Sequence, residues 1–252
     1  MNYLNEEIVY GKNPVVELLK SGKPVNKVLL VTEGAGSRNQ EIIQLLHEQN
    51  IPYQFVDRQT LDRLTNRERH QGMLAYVAAR EYSSIEDILG LAEQRQEAPF
   101  ILMLDEIEDP HNLGALLRTV DAVGAHGVII PKRRSVALTG TVAKTSAGAV
   151  EHVRVARVSN LVQTLKDLKK KGCWVSGAEA GGKDAFKADL TGPRAIVIGS
   201  EGKGISRLLR ENCDEIVSLP MKGKITSLNA SVAGSVMLYE VLRQRTNVMH
   251  EK

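Results

Sequence analysis

From Phe100 onward the chain alternates short apolar runs with segments of helical periodicity, and this alternation constrains the fold more than any other feature. The runs are short and rich in β-branched residues, which is typical of buried strands. Such alternation predicts a mostly parallel sheet with helices on both faces. The predicted strands are Phe100–Leu104, Val128–Pro131, Val153–Val158, Trp174–Ala178, Ala195–Gly199 and Glu215–Leu219, and the predicted helices are Leu113–Val123, Gly140–Ala147, Leu161–Lys170, Ile205–Glu211 and a final helix.

Residues 1–80 alternate shorter strand-like and helix-like segments and predict a second, smaller α/β unit. Residues 81–99 are polar, carry one amphipathic turn around Ile88 and end at Pro99. We expect them to be a partly helical connection between the two units. The predicted organisation is therefore an N-terminal domain over 1–80, a connection over 81–99 and a C-terminal domain over 100–252.

Composition and charge exclude some classes of protein. With 42% hydrophobic and 25% charged residues, the 252-residue chain can bury a normal core. Residues 1–95 hold 11 Lys/Arg against 13 Asp/Glu, and the remainder holds 22 against 17, so the basic excess lies in the C-terminal part. The spacing of Cys173 and Cys213 suggests neither a disulfide framework nor a metal site. The first residues lack a signal sequence and no run is long enough to span a membrane, so we expect a cytoplasmic protein.

Three stretches combine glycine and polar side chains directly after predicted strands. They are Asp105–Thr119, Ile198–Gly204 and Leu219–Leu242. In the third, Ser227, Asn229 and Ser231 alternate with apolar residues where a helix should begin. Ligands of parallel sheets bind beyond the carboxyl ends of the strands, so we expect the three stretches to form one crevice. The alternative for Ser227 or Asn229 is a simple helix N-cap.

Known nucleotide-binding motifs fit these stretches poorly. Gly199, Gly202 and Gly204 are spaced G-x-x-G-x-G, whereas a dinucleotide-binding turn has G-x-G-x-x-G with an acidic residue about twenty positions later. No P-loop sequence occurs.

In the N-terminal unit, the segment Arg67–Gly72 places basic side chains beside a glycine, which favours contact with a nucleic-acid backbone. A solvated surface loop is the alternative for that segment.

Taken in order, the three stretches resemble the motifs of the SpoU-type 2′-O-ribose RNA methyltransferases. Asn112-Leu113-Gly114-Ala115-Leu116-Leu117-Arg118-Thr119 matches N-x-G-x-x-x-R-T, and Gly199-Ser200-Glu201-Gly202-Lys203-Gly204 matches G-x-E-G-x-G. The segment from Pro220 to Ala233 matches Pro-Met-x-G-x-x-x-S-L-N-x-S-x-A. The resemblance covers essentially the whole chain. The N-terminal part is most similar to the bacterial 23S ribosomal RNA guanosine-2′-O-methyltransferases of the RlmB group.

The resemblance implies a fold, a cofactor and partners. The C-terminal domain would be a SPOUT α/β knot, with a deep trefoil knot forming the cofactor pocket, and the N-terminal domain an L30e-like unit that binds RNA. The cofactor would be S-adenosyl-L-methionine, with no metal. The partners would be 23S rRNA and a second copy of the chain, with sites at the dimer interface and no membrane. The apolar residues Val232, Val236, Met237, Tyr239 and Leu242 of the final helix are the predicted dimer surface, and core packing is the alternative.

The family's functional positions carry over to this chain through its matching motifs. As catalytic residues the resemblance implies Arg118, Asn112, Glu201, Ser227 and Asn229. As cofactor-binding residues it implies Gly199, Ser200, Leu219, Met221, Leu228 and Asn229. We expect contacts to the substrate RNA from Arg118, Arg67, Arg69 and Lys203.

Ordinary structural roles compete with three of these assignments. Arg118 lies on a helix with an apolar stripe and would otherwise be a surface or ion-pairing residue. Asn112, expected in a loop, fits the N-cap of a helix from Leu113. Glu201 would orient Arg118 or bind ribose, or else interact with the dipole of a helix from Ile205.

Other functions of the same fold remain open. One is a tRNA ribose 2′-O-methyltransferase, because the catalytic motifs are shared. Another is a non-catalytic RNA-binding protein, against which the intact motif residues argue. A third is an antibiotic-resistance methyltransferase.

Overall fold

The computed structural model describes residues 6–20, 25–32, 40–78, 81–225 and 227–250. The chain divides into two units, Met1–Arg80 and Glu81–Lys252. Each has its own sheet and its own core. Within the described ranges, every helix is too short or too polar to cross a membrane.

The described elements of the N-terminal unit are β1 (Glu6–Tyr10), α1 (Lys12–Lys20), β2 (Val25–Val31), α2 (Gln40–Glu48), β3 (Tyr53–Val56), α3 (Arg58–Leu64) and β4 (Met73–Ala78). The strands form one sheet in the order β1-β4-β2-β3. β4 pairs antiparallel with β1 and β2, and β2 pairs parallel with β3. The helices α1 and α2 bury their apolar faces with the strands.

Residues 81–99 belong to the C-terminal unit, which corrects the predicted connection. They contain helix α4 (Ile85–Gln94), started by a capping box between Ser84 and Asp87. The Ile88 side chain is fully buried in the C-terminal core. A Cβ atom on Gly127 would lie 2.6 Å from Ile88, so this glycine lets the helix approach the sheet. The amphipathic turn is therefore a core-packing helix.

The helices and strands that follow α4 are β5 (Phe100–Leu104), α5 (Pro110–Ala122), β6 (Gly127–Pro131), α6 (Gly140–Thr145), β7 (Val155–Val158), α7 (Leu161–Lys170), β8 (Trp174–Asp184), β9 (Arg194–Ile198), α8 (Arg207–Asn212), β10 (Glu215–Ser218) and α9 (Ala230–His250). The strands form a six-stranded sheet in the order β10-β8-β9-β5-β6-β7. Each of these strand pairings is parallel, as the alternation predicts.

Helices cover both faces of this sheet. Alternate β5 residues point into two separate clusters, one with α5, α6 and α9 and the other with α4, α7 and α8. β8 is longer than predicted, because it runs past Ala178 and pairs with β10 again at Lys183 after a register shift. The mostly parallel sheet with helices on both faces is confirmed.

The packing of α5 against α9 is close. A Cβ atom on Gly234 would lie 2.5 Å from the Leu116 side chain, so glycine allows this approach without displacing that side chain. The Thr119 and Ser235 hydroxyls share a hydrogen bond of 2.8 Å across the contact. The two helices that carry the first and third motifs are thereby fixed relative to each other.

Candidate active site

The loop from Gly199 to Gly204 turns back on itself directly after β9. The Ser200 N–H donates to the Gly204 carbonyl at 3.1 Å, and the Gly204 N–H donates to the Ser200 carbonyl at 2.9 Å. A Cβ atom on Gly199 would lie 2.1 Å from the Gly204 carbonyl carbon, and Gly204 has a φ of +68°. The backbone therefore requires glycine at both positions. Lys203 is exposed in this turn.

Three side chains from the three motifs meet beside this loop, and we call them the polar triad: Asn112, Glu201 and Asn229. The Asn112 amide donates to Glu201 Oε1 at 3.1 Å, and the Asn229 amide donates to Asn112 Oδ1 at 3.0 Å. The Asn229 amide also donates to Glu201 Oε1, which accepts the Ala230 N–H at 3.4 Å. The predicted convergence of the three motifs is confirmed, while the catalytic roles of the triad stay predictions.

Asn112 lies in a helix and not in a loop. α5 begins at Pro110, and its N-cap is Asp109, whose side chain accepts the His111 N–H at 3.0 Å. Asn112 is therefore a residue of the first helical turn, 7% exposed, and the predicted N-cap role is wrong. Its buried amide is satisfied by the other two members of the triad.

Glu201 interacts with a different helix from the one that the sequence suggested. α8 starts at Arg207, whereas the Glu201 carboxylate accepts hydrogen bonds at the start of α9. A carboxylate at a helix N-terminus is stabilised by the helix dipole and by free backbone N–H groups. Among the described residues, no hydrogen bond or ion pair joins Glu201 to Arg118, so the triad takes the place of the predicted pair.

Asn229 has two functions in the structure, a helix cap and a triad member. Its Oδ1 accepts the N–H of Ser231 at 3.0 Å and of Val232 at 3.2 Å. The Ser231 hydroxyl also donates to this oxygen, at 2.6 Å. The oxygen is thus used for capping and the amide nitrogen for the triad, which fixes the orientation of the side chain.

Arg118 is exposed on α5, and its guanidinium forms no hydrogen bond or ion pair within the described ranges. Six residues separate it from Asn112, so it projects from a different face of the helix, about 9 Å further along the axis. The neighbouring Thr119 is held by Ser235 of α9. Arg118 therefore has no ion-pairing partner among the described residues, which fits both the surface alternative and a ligand-binding residue, and its catalytic role stays a prediction.

Apolar side chains stand on the segment between β10 and α9. Met221 is 39% exposed and Leu228 40% exposed, while Leu219 is half-buried against the core. Ser227 is exposed, and its hydroxyl has no partner among the described residues. This segment meets the glycine loop through the hydrogen bond between Asn229 and Glu201, and its exposed apolar groups suit contact with the apolar part of a ligand.

Two carboxylates that support the loop were missed at the level of sequence. Asp105, buried at the end of β5, accepts the Ser206 N–H at 2.7 Å. Glu179, on β8, accepts the Ile205 N–H at 3.2 Å and pairs with Arg210 at 2.5 Å. Asp105 offered a signal, because it directly follows a buried strand, whereas nothing local marks Glu179. Together they hold the end of the Gly199–Gly204 loop against the sheet.

The predicted RNA loop of the N-terminal unit is strongly bent. Asn66, Arg67 and Gln71 have φ values of +53°, +62° and +51°, which non-glycine residues adopt uncommonly. Arg67 and Arg69 are exposed, whereas His70 is buried. The loop therefore presents its arginines on an ordered backbone, and their contact with RNA stays a prediction.

The final helix only partly matches the predicted dimer surface. Val232, Val236 and Tyr239 are 47%, 38% and 53% exposed. Met237 is fully buried and Leu242 packs against the core, so these two residues serve the alternative role of core packing. The exposed residues are spaced for one face of a helix.

Comparison with known families agrees with this arrangement. Residues 99–239 match the SpoU rRNA methylase family, and residues 8–83 match the domain described as RNA 2′-O ribose methyltransferase substrate binding. The chain belongs to the SpoU rRNA methylase family. The motif residues of the triad and the glycine loop lie within the first match.

Individual relatives cover nearly the whole chain. A Bacillus subtilis (strain 168) protein, YacO, named provisionally as a TrmH family tRNA/rRNA methyltransferase, is 50% identical over 243 residues, which cover 96% of this chain and 97% of YacO. A Staphylococcus aureus (strain MSSA476) protein with the same provisional name is 45% identical, with 97% and 99% covered. The crystal structure of the SpoU methyltransferase AviRb from Streptomyces viridochromogenes, in complex with the cofactor AdoMet, is 26% identical, has a TM-score of 0.68 and covers 96% of this chain and 91% of its own.

Proposed function

We propose that the chain transfers a methyl group from S-adenosylmethionine to the ribose 2′-hydroxyl of a guanosine in 23S ribosomal RNA. The observation that carries the proposal is the triad of Asn112, Glu201 and Asn229, which joins all three motifs beside the glycine loop and near the helix of Arg118. S-adenosylmethionine is the methyl donor of this class of enzyme and supplies an electrophilic methyl group on a sulfonium.

The residues present fit this cofactor. Gly199 closes on Gly204 so tightly that a Cβ atom would fill the space, so the loop keeps the compact backbone turn that a glycine-rich cofactor loop needs. Met221 and Leu228 offer apolar surface on the segment that leads to α9. We infer that Gly199, Ser200, Leu219, Met221, Leu228 and Asn229 hold the cofactor, the glycine and leucine positions through backbone and apolar contacts.

Methyl transfer is an in-line displacement in which the O–C bond forms as the C–S bond of the sulfonium breaks, the neutral thioether leaves and the hydroxyl proton passes to solvent water. The enzyme must therefore hold the 2′-hydroxyl in line and stabilise the oxygen as its proton leaves. A guanidinium stays protonated at neutral pH and makes a poor base, but it binds phosphate bidentately and stabilises a developing alkoxide. We assign these two roles to Arg118. Ser227 and the triad complete the wall around the hydroxyl, and the triad keeps Asn229 and Glu201 in fixed orientation.

The substrate assignment rests on the N-terminal unit. Its match to a substrate-binding domain supports an RNA substrate, and its resemblance to the RlmB group favours 23S rRNA. The provisional names of the relatives include both tRNA and rRNA, so a tRNA ribose methyltransferase is the second candidate. We further infer that the protein acts in the cytoplasm, where both RNAs are made in bacteria.

Substrate identity is tested by incubating the protein with labelled S-adenosylmethionine and either unmodified 23S rRNA or a tRNA pool, and then mapping the label. We expect label at one guanosine of 23S rRNA. Label in tRNA alone would support the same methyl-transfer reaction with tRNA, and not 23S rRNA, as the substrate. Bound cofactor without transfer to either RNA, or to large-subunit precursor particles, would support a non-catalytic RNA-binding protein instead.

Replacing Arg67 and Arg69 together with alanine should weaken RNA binding without changing cofactor affinity. Each arginine that neutralises a phosphate contributes about 0.7–0.9 to the slope of log affinity against log salt. We therefore expect a shallower salt dependence when the double variant is titrated with labelled RNA at several salt concentrations. An unchanged slope would show that Arg67 and Arg69 do not contact RNA phosphates, and would contradict the assignment of this loop to the RNA interface.

The exposed stripe of α9 supports a homodimer. Val232, Val236 and Tyr239 lie at positions i, i+4 and i+7, and a twofold axis would place the same stripe on itself. We expect Val236→Glu to shift the protein toward monomer in sedimentation equilibrium. Leu208→Glu, at an apolar α8 side chain that is 57% exposed, is the matched control and should leave the assembly unchanged. Equal assembly of both variants would contradict this interface.

A further inference from the structure

A polar cleft of about 620 Å³ lies beside α3 in the N-terminal unit. Its lining residues are Gln59, Asp62, Arg63, Asn66 and Arg67. Four of its five lining residues are exposed, so the cleft is open to a polymer that lies across the surface. The lining combines two cations, two amides and one carboxylate, without an aromatic ring. Such a lining recognises charge and the hydrogen-bonding edges of a base, and the arginine planes can also stack on it.

The carboxylate of the cleft is held in place by a buried histidine. His70 is 3% exposed, and its Nδ1 accepts the Gly72 N–H at 3.0 Å. Because a backbone N–H can only donate, Nδ1 is unprotonated and the proton lies on Nε2. Nε2 then donates to Asp62 Oδ1 at 3.0 Å. Asp62 Oδ2 accepts no hydrogen bond from any residue in the described ranges, and it can accept one from a ligand.

The end of α3 and the turn that follows it carry the two arginines of the cleft. Arg63 lies in the last turn of α3, and Arg67 follows the end of the helix with a φ of +62°. The Arg67 N–H donates to the Asp62 carbonyl at 2.6 Å, which holds this turn against the helix. Both side chains are exposed and line the cleft, and neither guanidinium forms an ion pair with a described residue. Guanidinium groups are suited to bidentate binding of a phosphate.

We propose that this cleft binds one unpaired nucleotide of the substrate RNA. Arg63 and Arg67 hold the phosphate, and Asp62 Oδ2 accepts a hydrogen bond from an amino group on the edge of the base. Gln59 and Asn66 offer further donors and acceptors to that edge. His70 is a positioning residue that orients Asp62. The proposal rests on the proposed RNA methyltransferase function and names a subsite for it.

The test measures binding of the full-length protein to fluorescein-labelled RNA hairpins. The hairpin loops contain either uridine alone or one adenosine, cytidine or guanosine, and a fully paired duplex serves as comparison. We expect the Arg63→Ala/Arg67→Ala variant to lose about tenfold in affinity for the preferred hairpin and much less for the duplex. Arg58→Ala, which removes an exposed arginine of α3 outside the cleft lining, is the matched control and should change the affinity little.

The Asp62→Asn variant tests base recognition separately from folding. An asparagine retains the oxygen that accepts the His70 proton, but it replaces the other acceptor with an NH₂ donor. Wild-type protein should prefer a loop with an amino-bearing base over uridine by about tenfold, and Asp62→Asn should lose this preference. Equal losses in the Arg58 and Arg63/Arg67 variants, or an unchanged base preference in Asp62→Asn, would overturn the proposal.

Failure of the subsite and failure of the enzyme assignment give different results. If the Arg63→Ala/Arg67→Ala variant keeps full RNA affinity and full methyl transfer, the proposed nucleotide subsite is rejected and the proposed enzyme activity is still supported. Selective loss of hairpin binding in that variant, with no transfer by wild-type protein to any RNA, would support the subsite and reject the enzyme assignment.

Discussion

Replacement of Arg118 with alanine is expected to abolish methyl transfer while leaving S-adenosylmethionine affinity nearly unchanged. Arg118 is exposed on α5, has no partner among the described residues and stands outside the polar triad, so its loss should leave the fold and the cofactor site intact. Removing one preorganised donor to a developing oxyanion costs about 10²–10³-fold in rate. Loss of a phosphate contact adds to this effect below RNA saturation.

The measurement is single-turnover transfer at saturating RNA, with cofactor affinity determined by calorimetry. Arg207→Ala, at an exposed arginine of α8 that pairs only with Glu211 among the described residues, is the matched control and should retain wild-type transfer. Normal transfer in the Arg118 variant would contradict its catalytic assignment. Parallel loss of transfer and of cofactor affinity would assign Arg118 to the cofactor site.

Replacement of Gly199 with alanine is expected to remove cofactor binding and lower stability. The added Cβ atom would lie 2.1 Å from the Gly204 carbonyl carbon and 2.3 Å from the Ile205 nitrogen, and both are backbone atoms that cannot rotate away. The loop must shift as a whole, which costs about 1–3 kcal/mol by analogy with overpacked cores. The same shift would displace Ser200 and Glu201, so the cofactor affinity should fall more than about tenfold.

Thermal unfolding and cofactor titration measure these two effects. Gly90→Ala in α4 is the matched control, since no heavy atom lies within 4 Å of its added Cβ atom. We expect this control to gain about 0.5–1 kcal/mol of stability, because alanine loses less entropy than glycine in a helix. Wild-type cofactor affinity in Gly199→Ala would show that the tight turn does not form the cofactor site.

Local patterns were sufficient for most of the fold. The apolar runs at Phe100–Leu104 and Ala195–Gly199 correspond closely to β5 and β9, because buried parallel strands are continuous apolar segments. The rule that parallel strands present their carboxyl ends at one edge brought the three motifs together correctly. The expectations of an L30e-like unit, of a knot and of the cofactor came from family resemblance, because no periodicity or spacing encodes them.

The errors arose where distant contacts decide the structure. The sequence around Ile88 resembles a linker, because the local pattern does not show that Gly127, which has no side chain, leaves room for α4 to pack on the sheet. The role of Glu201 depends on Asn112 and Asn229, which are 89 and 28 residues away in sequence. The predicted start of α5 at Leu113 was also wrong, and here a local signal existed, because Asp109-Pro110 is a capping residue followed by a proline at the first helical position.

The most direct test of the account is the chemical identity of the nucleoside that the enzyme produces. RNA treated with the protein and S-adenosylmethionine would be digested to nucleosides and analysed by mass spectrometry, with Arg118→Ala as the paired sample. We predict 2′-O-methylguanosine with the wild-type protein and none with the variant. A methyl group on a base, or equal amounts of product from both proteins, would contradict a ribose methyltransferase site built around Arg118 and the polar triad.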